Sequence, residues 1–322
     1  MKKFESLCLC LWGMISLMLV SCGGDDNGSY NVGSLLIETE DGDKLLVTSV
    51  GSLKYGYDDD GVLNYFYDYD DYDVTDNGTT FSYTDSYGSE TIKLTLNGSG
   101  YISKIVEEGT YEWRDESETW KETCNLSYDG SGHLTKLSAS YSETYIEDDE
   151  KETYSGSGSW TLTWSNGMLT KWVYYESDEE WEYTDTYEYD YGSNTYANSY
   201  CQYAPAVWDE SDAILAELSY IGLLGVGPTY LPSTVDYTSV EEGDGDVDSY
   251  DGSSSYKFSF NSNGTISYQT NAKGTGKKSF TYEEYTGSVT RAFDIEIEEE
   301  EDLDADGESA RRRSLLGRRH LR

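Results

Sequence analysis

The chain has little of what most hydrolases and nucleic-acid binders depend on. Its 322 residues include two histidines, five cysteines, three prolines and 22 basic side chains against 62 acidic ones. Nucleophilic catalysis of the Ser/His or Cys/His kind needs an imidazole. His133 occupies a turn position that Val62, Tyr101 and Thr265 fill elsewhere, so it reads as a turn residue, and His320 sits in a basic tail. Serine and cysteine hydrolases are therefore not expected, nor is a zinc site built on histidine. A net charge of −40 repels a phosphate backbone instead of releasing its counterions, so nucleic acid is not an expected partner.

Scarce proline beside 32 Tyr, 32 Gly and 8 Trp favours many short strands joined by glycine turns over helices. An aromatic content of 15% supplies far more buriable surface than disordered acidic chains carry. The expectation is a folded all-β body with a negative skin that attracts cations or basic partners.

The N-terminus reads as an address. Met1-Lys2-Lys3 opens a basic segment, and the apolar run from Leu7 to Val20 is long enough for a signal h-region but short for a membrane span. It ends in Leu19-Val20-Ser21-Cys22, which resembles the bacterial lipobox, and this implies acylation of Cys22 and anchoring by burial of the acyl chains. Gly23-Gly24-Asp25-Asp26-Asn27-Gly28 resembles the acidic export signal of Bacteroidetes-type surface lipoproteins, and a flexible Gly/Asp tether would have the same composition. Cleavage before Cys22 removes Lys2, Lys3 and Glu5, one net positive charge, and leaves −41. Cys8 and Cys10 leave with the signal, and Cys124 and Cys201 remain as a pair that an oxidising compartment could join.

A hairpin is then written several times. Two alternating apolar residues, a polar turn with glycine and a restarted alternation occur at Tyr55 to Leu63, Leu94 to Ile102, Leu126 to Leu134, Phe258 to Ile266 and, one residue shorter, Leu162 to Leu169. Glycine provides the positive φ that closes such turns, and period-2 alternation puts one set of side chains on a common face. The steps from Gly61 to Gly100, Gly132 and Gly167 are 39, 32 and 35 residues, the rhythm of an antiparallel meander. One helix is expected near 211–222, with Ser211 as cap, Ile214, Leu215, Leu218 and Ile221 on one stripe and Gly222 as the stop.

Tyr128-Asp129 with Gly132 and Leu134 resembles the YD repeats of bacterial surface and toxin-shell proteins. The lipobox, the hairpin repeats and the segment from Gly222-Leu223-Leu224-Gly225 to Leu231-Pro232-Ser233 together resemble a family of Bacteroidetes lipoproteins of unknown function, described as porin-like in fold. The resemblance covers roughly residues 35 to 290, implies a barrel-like or curved antiparallel sheet, and carries over no catalytic residue. A lipid-spanning barrel needs an outward apolar band, whereas this chain interleaves Asp, Glu, Ser and Thr among its tyrosines, which favours a barrel tethered by lipid. The organisation expected is a signal peptide at 1–21, an acidic tether at 22–34, the hairpin domain at 35–290 and a charged tail at 291–322 that looks disordered, with Arg311-Arg312-Arg313 and Arg318-Arg319 following an acidic run.

Candidate sites are few. Exposed aromatics beside carboxylates stack on sugar rings and bond their hydroxyls, which makes Trp113, Trp120, Trp172, Tyr174 and Trp181 the ligand-binding candidates, although period-2 aromatics also line sheet cores. Asp302, Asp304 and Asp306, with Gly307, match part of a calcium loop, but Arg313 stands where the bidentate glutamate belongs. Asp244, Asp246 and Asp248 share that spacing without the glycine. No tightly held cofactor is expected beyond loosely bound calcium ions. The function favoured is a non-enzymatic lipoprotein on the outer-membrane surface that binds a glycan or an envelope protein. A structural envelope component and a carboxylate-dependent glycan hydrolase are the alternatives.

Overall fold

The computed structural model describes residues 37–285, apart from 69, 114–115, 148–149, 178–180, 194–195, 201–212 and 244–245. Cys22, the tether, Cys201, the tail and Asp302, Asp304 and Asp306 lie outside the described residues. In chain order the strands are β1 (Ile37–Glu38), β2 (Lys44–Val50), β3 (Leu53–Tyr57), β4 (Leu63–Asp68), β5 (Asp70–Thr75), β6 (Thr80–Thr84), β7 (Gly88–Leu96), β8 (Ile102–Trp113) and β9 (Glu116–Tyr128). They continue as β10 (Leu134–Glu147), β11 (Glu150–Ser165), β12 (Met168–Ser177), β13 (Trp181–Asp190), β14 (Thr234–Gly243), β15 (Asp246–Phe260), β16 (Ile266–Asn271) and β17 (Lys278–Glu284). The helix α1 spans Ala213–Tyr220, inside the expected 211–222, and Gly222 at φ 77° stops the chain from continuing it.

From β2 to β17 each strand pairs antiparallel with the next, and β17 returns to β2, with Phe280 opposite Val50. The expected meander is thus a closed barrel of 16 strands, with the two-residue β1 added along β2. Closure leaves none of the 16 strands as a free edge for another chain to pair with. The repeated turns gather at one end, here called the base, where Gly61, Gly100, Gly132, Gly167 and Gly264 all take positive φ. The opposite end is the rim.

The wall is uneven. Strands β8 to β15 run 10 to 16 residues, whereas β2 to β6, β16 and β17 run 5 to 7. At about 3.3 Å per residue the strands of the tall wall are up to roughly 50 Å long and those of the short wall about 20 Å.

Alternation along each strand separates two faces. The inner face near the base is apolar, with Leu94, Ile105, Leu126, Leu137, Trp160, Leu162, Trp172 and Phe258 all buried. The outer face is made of hydroxyls and charges, for instance Ser157, Thr161 and Thr163 on β11 and Asp236 and Thr238 on β14, all exposed. This is the reverse of a lipid-spanning barrel, whose outward band is apolar.

The connection between β13 and β14 fills the base. Helix α1 lies inside the barrel: Tyr55 donates from its hydroxyl to the Glu217 carbonyl at 2.9 Å, and Lys278 donates to the Tyr220 hydroxyl at 3.0 Å. Leu215, Leu218 and Ile221 are buried among the apolar inner residues. Past the helix, the chain crosses beneath the repeat turns, where Ile102 N donates to Leu223 O, Val226 N to Gly132 O and Thr229 N to Gly167 O at 2.9 to 3.0 Å. The Leu-Leu-Gly to Leu-Pro-Ser segment is therefore the floor of the barrel.

Candidate functional site: the inner wall above the floor

Above the apolar belt the inner face of the tall wall changes chemistry. Cross-strand neighbours there alternate aromatic and carboxylate: Tyr111 faces Glu118, Trp120 faces Glu143, Glu122 faces Tyr141 and Glu118 faces Tyr145. The pattern continues with Tyr154 opposite Glu143, Glu152 opposite Tyr145, Tyr174 opposite Asp185, Tyr183 opposite Glu176 and Tyr183 opposite Glu241. Residues directly across a ladder stand about 4.5 to 5.5 Å apart at Cβ, which sets each ring beside a carboxylate. The Tyr174 hydroxyl donates to Glu176 at 2.5 Å, Trp120 Nε1 donates to Glu107 at 3.1 Å, and the Tyr154 hydroxyl donates to Glu152, which pushes that phenol above its ordinary pKa.

Three glycines set how the rings lie. A methyl group placed on Gly109 would meet the Trp120 ring at 2.2 Å, one on Gly156 the Tyr141 ring at 2.6 Å, and one on Gly252 the Tyr237 ring at 2.4 Å. Each ring lies across the strand over a residue with no side chain, flat against the wall rather than standing into the lumen. Further rings form a row across the strands: Trp172 stacks on Tyr187 at 4.5 Å and Tyr187 on Tyr237 at 6.1 Å, all three in one register, and Tyr237 meets Tyr250, two residues nearer the rim, at 5.6 Å. Exposure rises along it from 1% at Trp172 to 63% at Tyr250.

Charge is segregated across the same wall. By register, Lys93, Lys104, Lys121, Lys136, Lys151, Lys171 and Lys257 all project outward, alternating with inner-face residues. Lys121 and Lys171 form ion pairs there, with Glu108 at 2.9 Å and Glu188 at 3.5 Å. Among the described residues of β7 to β15, the inner face carries carboxylates as its only charged side chains. None of its acidic groups forms a cluster of three or more that could hold a metal ion, among the described residues. Asp246 and Asp248, read in sequence as part of a calcium spacing, lie in the extended β15 opposite Gly243 and Glu241. A calcium loop needs a coiled backbone that turns several oxygens onto one point, and an extended strand does not provide it.

Of the sequence candidates, Trp172 and Tyr174 point inward from β12 and are buried, with Trp172 belonging to the apolar belt more than to an open surface. Trp120 is half-buried on the inner face of β9. Trp113 ends β8 opposite Glu116, and Trp181 starts β13 opposite Gly243, both at the rim. The reading missed Tyr183, Tyr187, Tyr237 and Tyr250, although the alternation in Trp181-Glu-Tyr-Thr-Asp-Thr-Tyr marks the first two. His133 stays in its turn, stacked on Trp164 at 4.3 Å with Nδ1 3.0 Å from Asp129. Cys124 is buried in the inner wall between Ile105 and Ala139. Outside, Ser89, Thr110, Thr119 and Thr144 surround the Lys121–Glu108 pair in an open groove of about 460 Å³.

No family model matches the chain, and no curated protein does. Its fold is similar to a crystal structure of a porin-like protein from Bacteroides vulgatus, at TM-score 0.50 and 13% identity, over 74% of this chain and 99% of that one. A porin-like protein from Bacteroides uniformis aligns over 62% of this chain and 93% of that one, at TM-score 0.27 and 11% identity, too loosely to carry an argument. At such identities the likeness concerns the barrel alone.

Proposed function

We propose that the protein is a non-enzymatic envelope lipoprotein of the Bacteroidetes type, held at the outer-membrane surface by acylated Cys22, whose inner wall receives an extracellular ligand through the rim. The observation that carries this reading is the row of rings from Trp172 across the wall to Tyr250, whose exposure rises from 1% to 63%. Rings that served only to fill a core would be most buried throughout; these emerge where a ligand would enter. The hydroxyl-rich outer face supports a barrel standing in water rather than in lipid.

The anchor sets an orientation. The described chain starts at Ile37, beside the base end of β2, and residues 22–36 can extend at most about 50 Å. The plugged base then faces the membrane and the rim faces away. Labelling intact cells with a membrane-impermeant maleimide tests both points. Tyr250→Cys at the rim should react, and replacing Cys22 with serine should release the protein from the membrane fraction. A Tyr250→Cys protein that reacts only after lysis would remove the surface reading.

A further inference from the structure

Two tyrosines near the rim meet through their hydroxyls. Register sets Tyr237 on β14 opposite Gly252 and Tyr250 on β15 opposite Ser239, so the two are diagonal neighbours on one face, a spacing that aromatic side chains bridge. Their rings stand 5.6 Å apart at an interplanar angle of 50°, and the Tyr237 hydroxyl donates to the Tyr250 hydroxyl at 3.2 Å. We propose that this pair is a site of oxidative cross-linking, at which a haem peroxidase supplied with hydrogen peroxide joins the two rings as dityrosine and fastens β14 to β15.

Gly252 creates the contact. A methyl group there would come within 2.4 to 2.6 Å of Cζ, the hydroxyl oxygen and Cε1 of Tyr237. Tyr237 therefore crosses onto β15, and it carries with it the ortho ring carbon, Cε1, of the kind that bonds when phenoxyl radicals couple. Other close tyrosine pairs lack one of these conditions. Tyr72, beside Tyr83, is fully buried; Tyr128, beside Tyr101, donates to the Ile102 carbonyl; and Tyr174, beside Tyr183, donates to Glu176.

Exposure sets the order of events. Tyr250 is 63% accessible and Tyr237 half-buried, so the oxidant takes its first electron from Tyr250, whose phenolic proton leaves to water. The Tyr250 radical then takes an electron from Tyr237 together with the proton that Tyr237 already donates to it. This restores the Tyr250 phenol and leaves the radical on Tyr237. A second oxidation of Tyr250 puts two radicals side by side. A carbon–carbon bond forms between the ortho carbons, and each gives up its hydrogen as a proton while its ring oxygen takes one from solvent, which restores both phenols. The pair loses two electrons and two protons in all, and these reduce one hydrogen peroxide to two waters. The bridge joins strand ends whose Glu241, Glu242, Val247 and Asp248 are exposed and add little packing, and such ends are the first to open. It needs no ligand and does not depend on the receptor reading.

The test treats the mature chain, residues 23–322, at high dilution with a haem peroxidase and hydrogen peroxide, and follows dityrosine fluorescence and mass. A monomer lighter by two hydrogens is expected. Digestion after glutamate separates Tyr237 from Tyr250 at Glu241 and Glu242, so the bridged protein should yield one joined peptide that contains both. Tyr250→Phe should lower the yield of that peptide about tenfold or more, since coupling depends on two rings held in contact. Gly252→Val, which pushes the Tyr237 ring off β15, should lower it with both tyrosines present. Tyr175→Phe, at another exposed tyrosine, should leave it unchanged. Circular dichroism checks that each variant is folded. A product made chiefly of covalent dimers, or joined peptides that contain other tyrosines and persist in Tyr250→Phe, overturns the proposal. A folded chain that keeps its mass under conditions that couple free tyrosine overturns it as well.

Discussion

The base and the rim of one barrel are built from the same strands and do opposite things. At the base, Trp160, Leu137, Leu169 and Ile105 are fully buried against an apolar belt, with Leu215 of α1 inside it. At the rim the same strands end in Tyr154, Val247 and Tyr250, all exposed. A strand can therefore bury its base half in the core and leave its rim half open, because alternation fixes which face is inner while residue type along that face changes with height. The plug makes this division workable: with the floor closed by 221–233 and the base of the lumen filled by α1, the upper wall needs no core of its own.

The largest effect that sharpens this contrast comes from Trp160→Ala, which empties a fully buried site and should cost about 3 to 5 kcal/mol in chemical denaturation. Tyr250→Ala at the rim should stay within about 0.5 kcal/mol. Similar losses from both would erase the division between the two ends.

Next is the floor. Gly225 has φ 96°, and a methyl group there would sit 2.4 Å from the Gly132 carbonyl oxygen, which also accepts from Val226 N. Gly225→Ala should cost about 1 to 3 kcal/mol and speed hydrogen exchange at Val226 while leaving the rim unaffected. Unchanged exchange would mean the floor is not fastened there.

Gly156→Ala acts higher up. The added carbon displaces the Tyr141 ring from its strand, at about 1 kcal/mol or less because a side chain end can move. Its clearer readout is a shifted Tyr141 ring resonance with base resonances unmoved.

The smallest effect is acidic. Burial alone would raise the Asp129 carboxyl, but it is outweighed by hydrogen bonds from the His133 side chain and from the backbone of His133 and Ser131, which hold it below the ordinary aspartate value. Its contribution is complete above the unfolded aspartate pKa and disappears as pH falls through the lowered folded value. A carboxyl resonance titrating below ordinary aspartate would agree; one titrating above it would contradict the turn geometry.

Much of the base was legible. The glycine-pivoted repeats predicted their turns, and all five lie together because an even number of strands, two or four, separates each from the next. The helix was visible as Leu215, Leu218 and Ile221 followed by Gly222. What could not be read was closure: Phe280 meets Val50 across 230 residues, and no local pattern encodes that pairing. The inner checkerboard was hidden for a related reason. Glu143 and Tyr154 are ordinary in their own strands and acquire meaning only when register sets them side by side. Trp172 and Tyr174 were found as aromatics, but their depth depends on how far they stand above the floor, which strand sequence alone does not specify.

One consequence follows from the base. Tyr285 N donates to Lys44 O at 2.7 Å, beside the hairpin that joins β1 to β2, so the two described ends of the chain are neighbours. A short linker could splice them together, and the exposed hairpin at 272–277, with open space around Gly274, could be cut instead. The resulting circular permutant would keep all sixteen ladder pairings while moving its free termini from the base to the opposite lip.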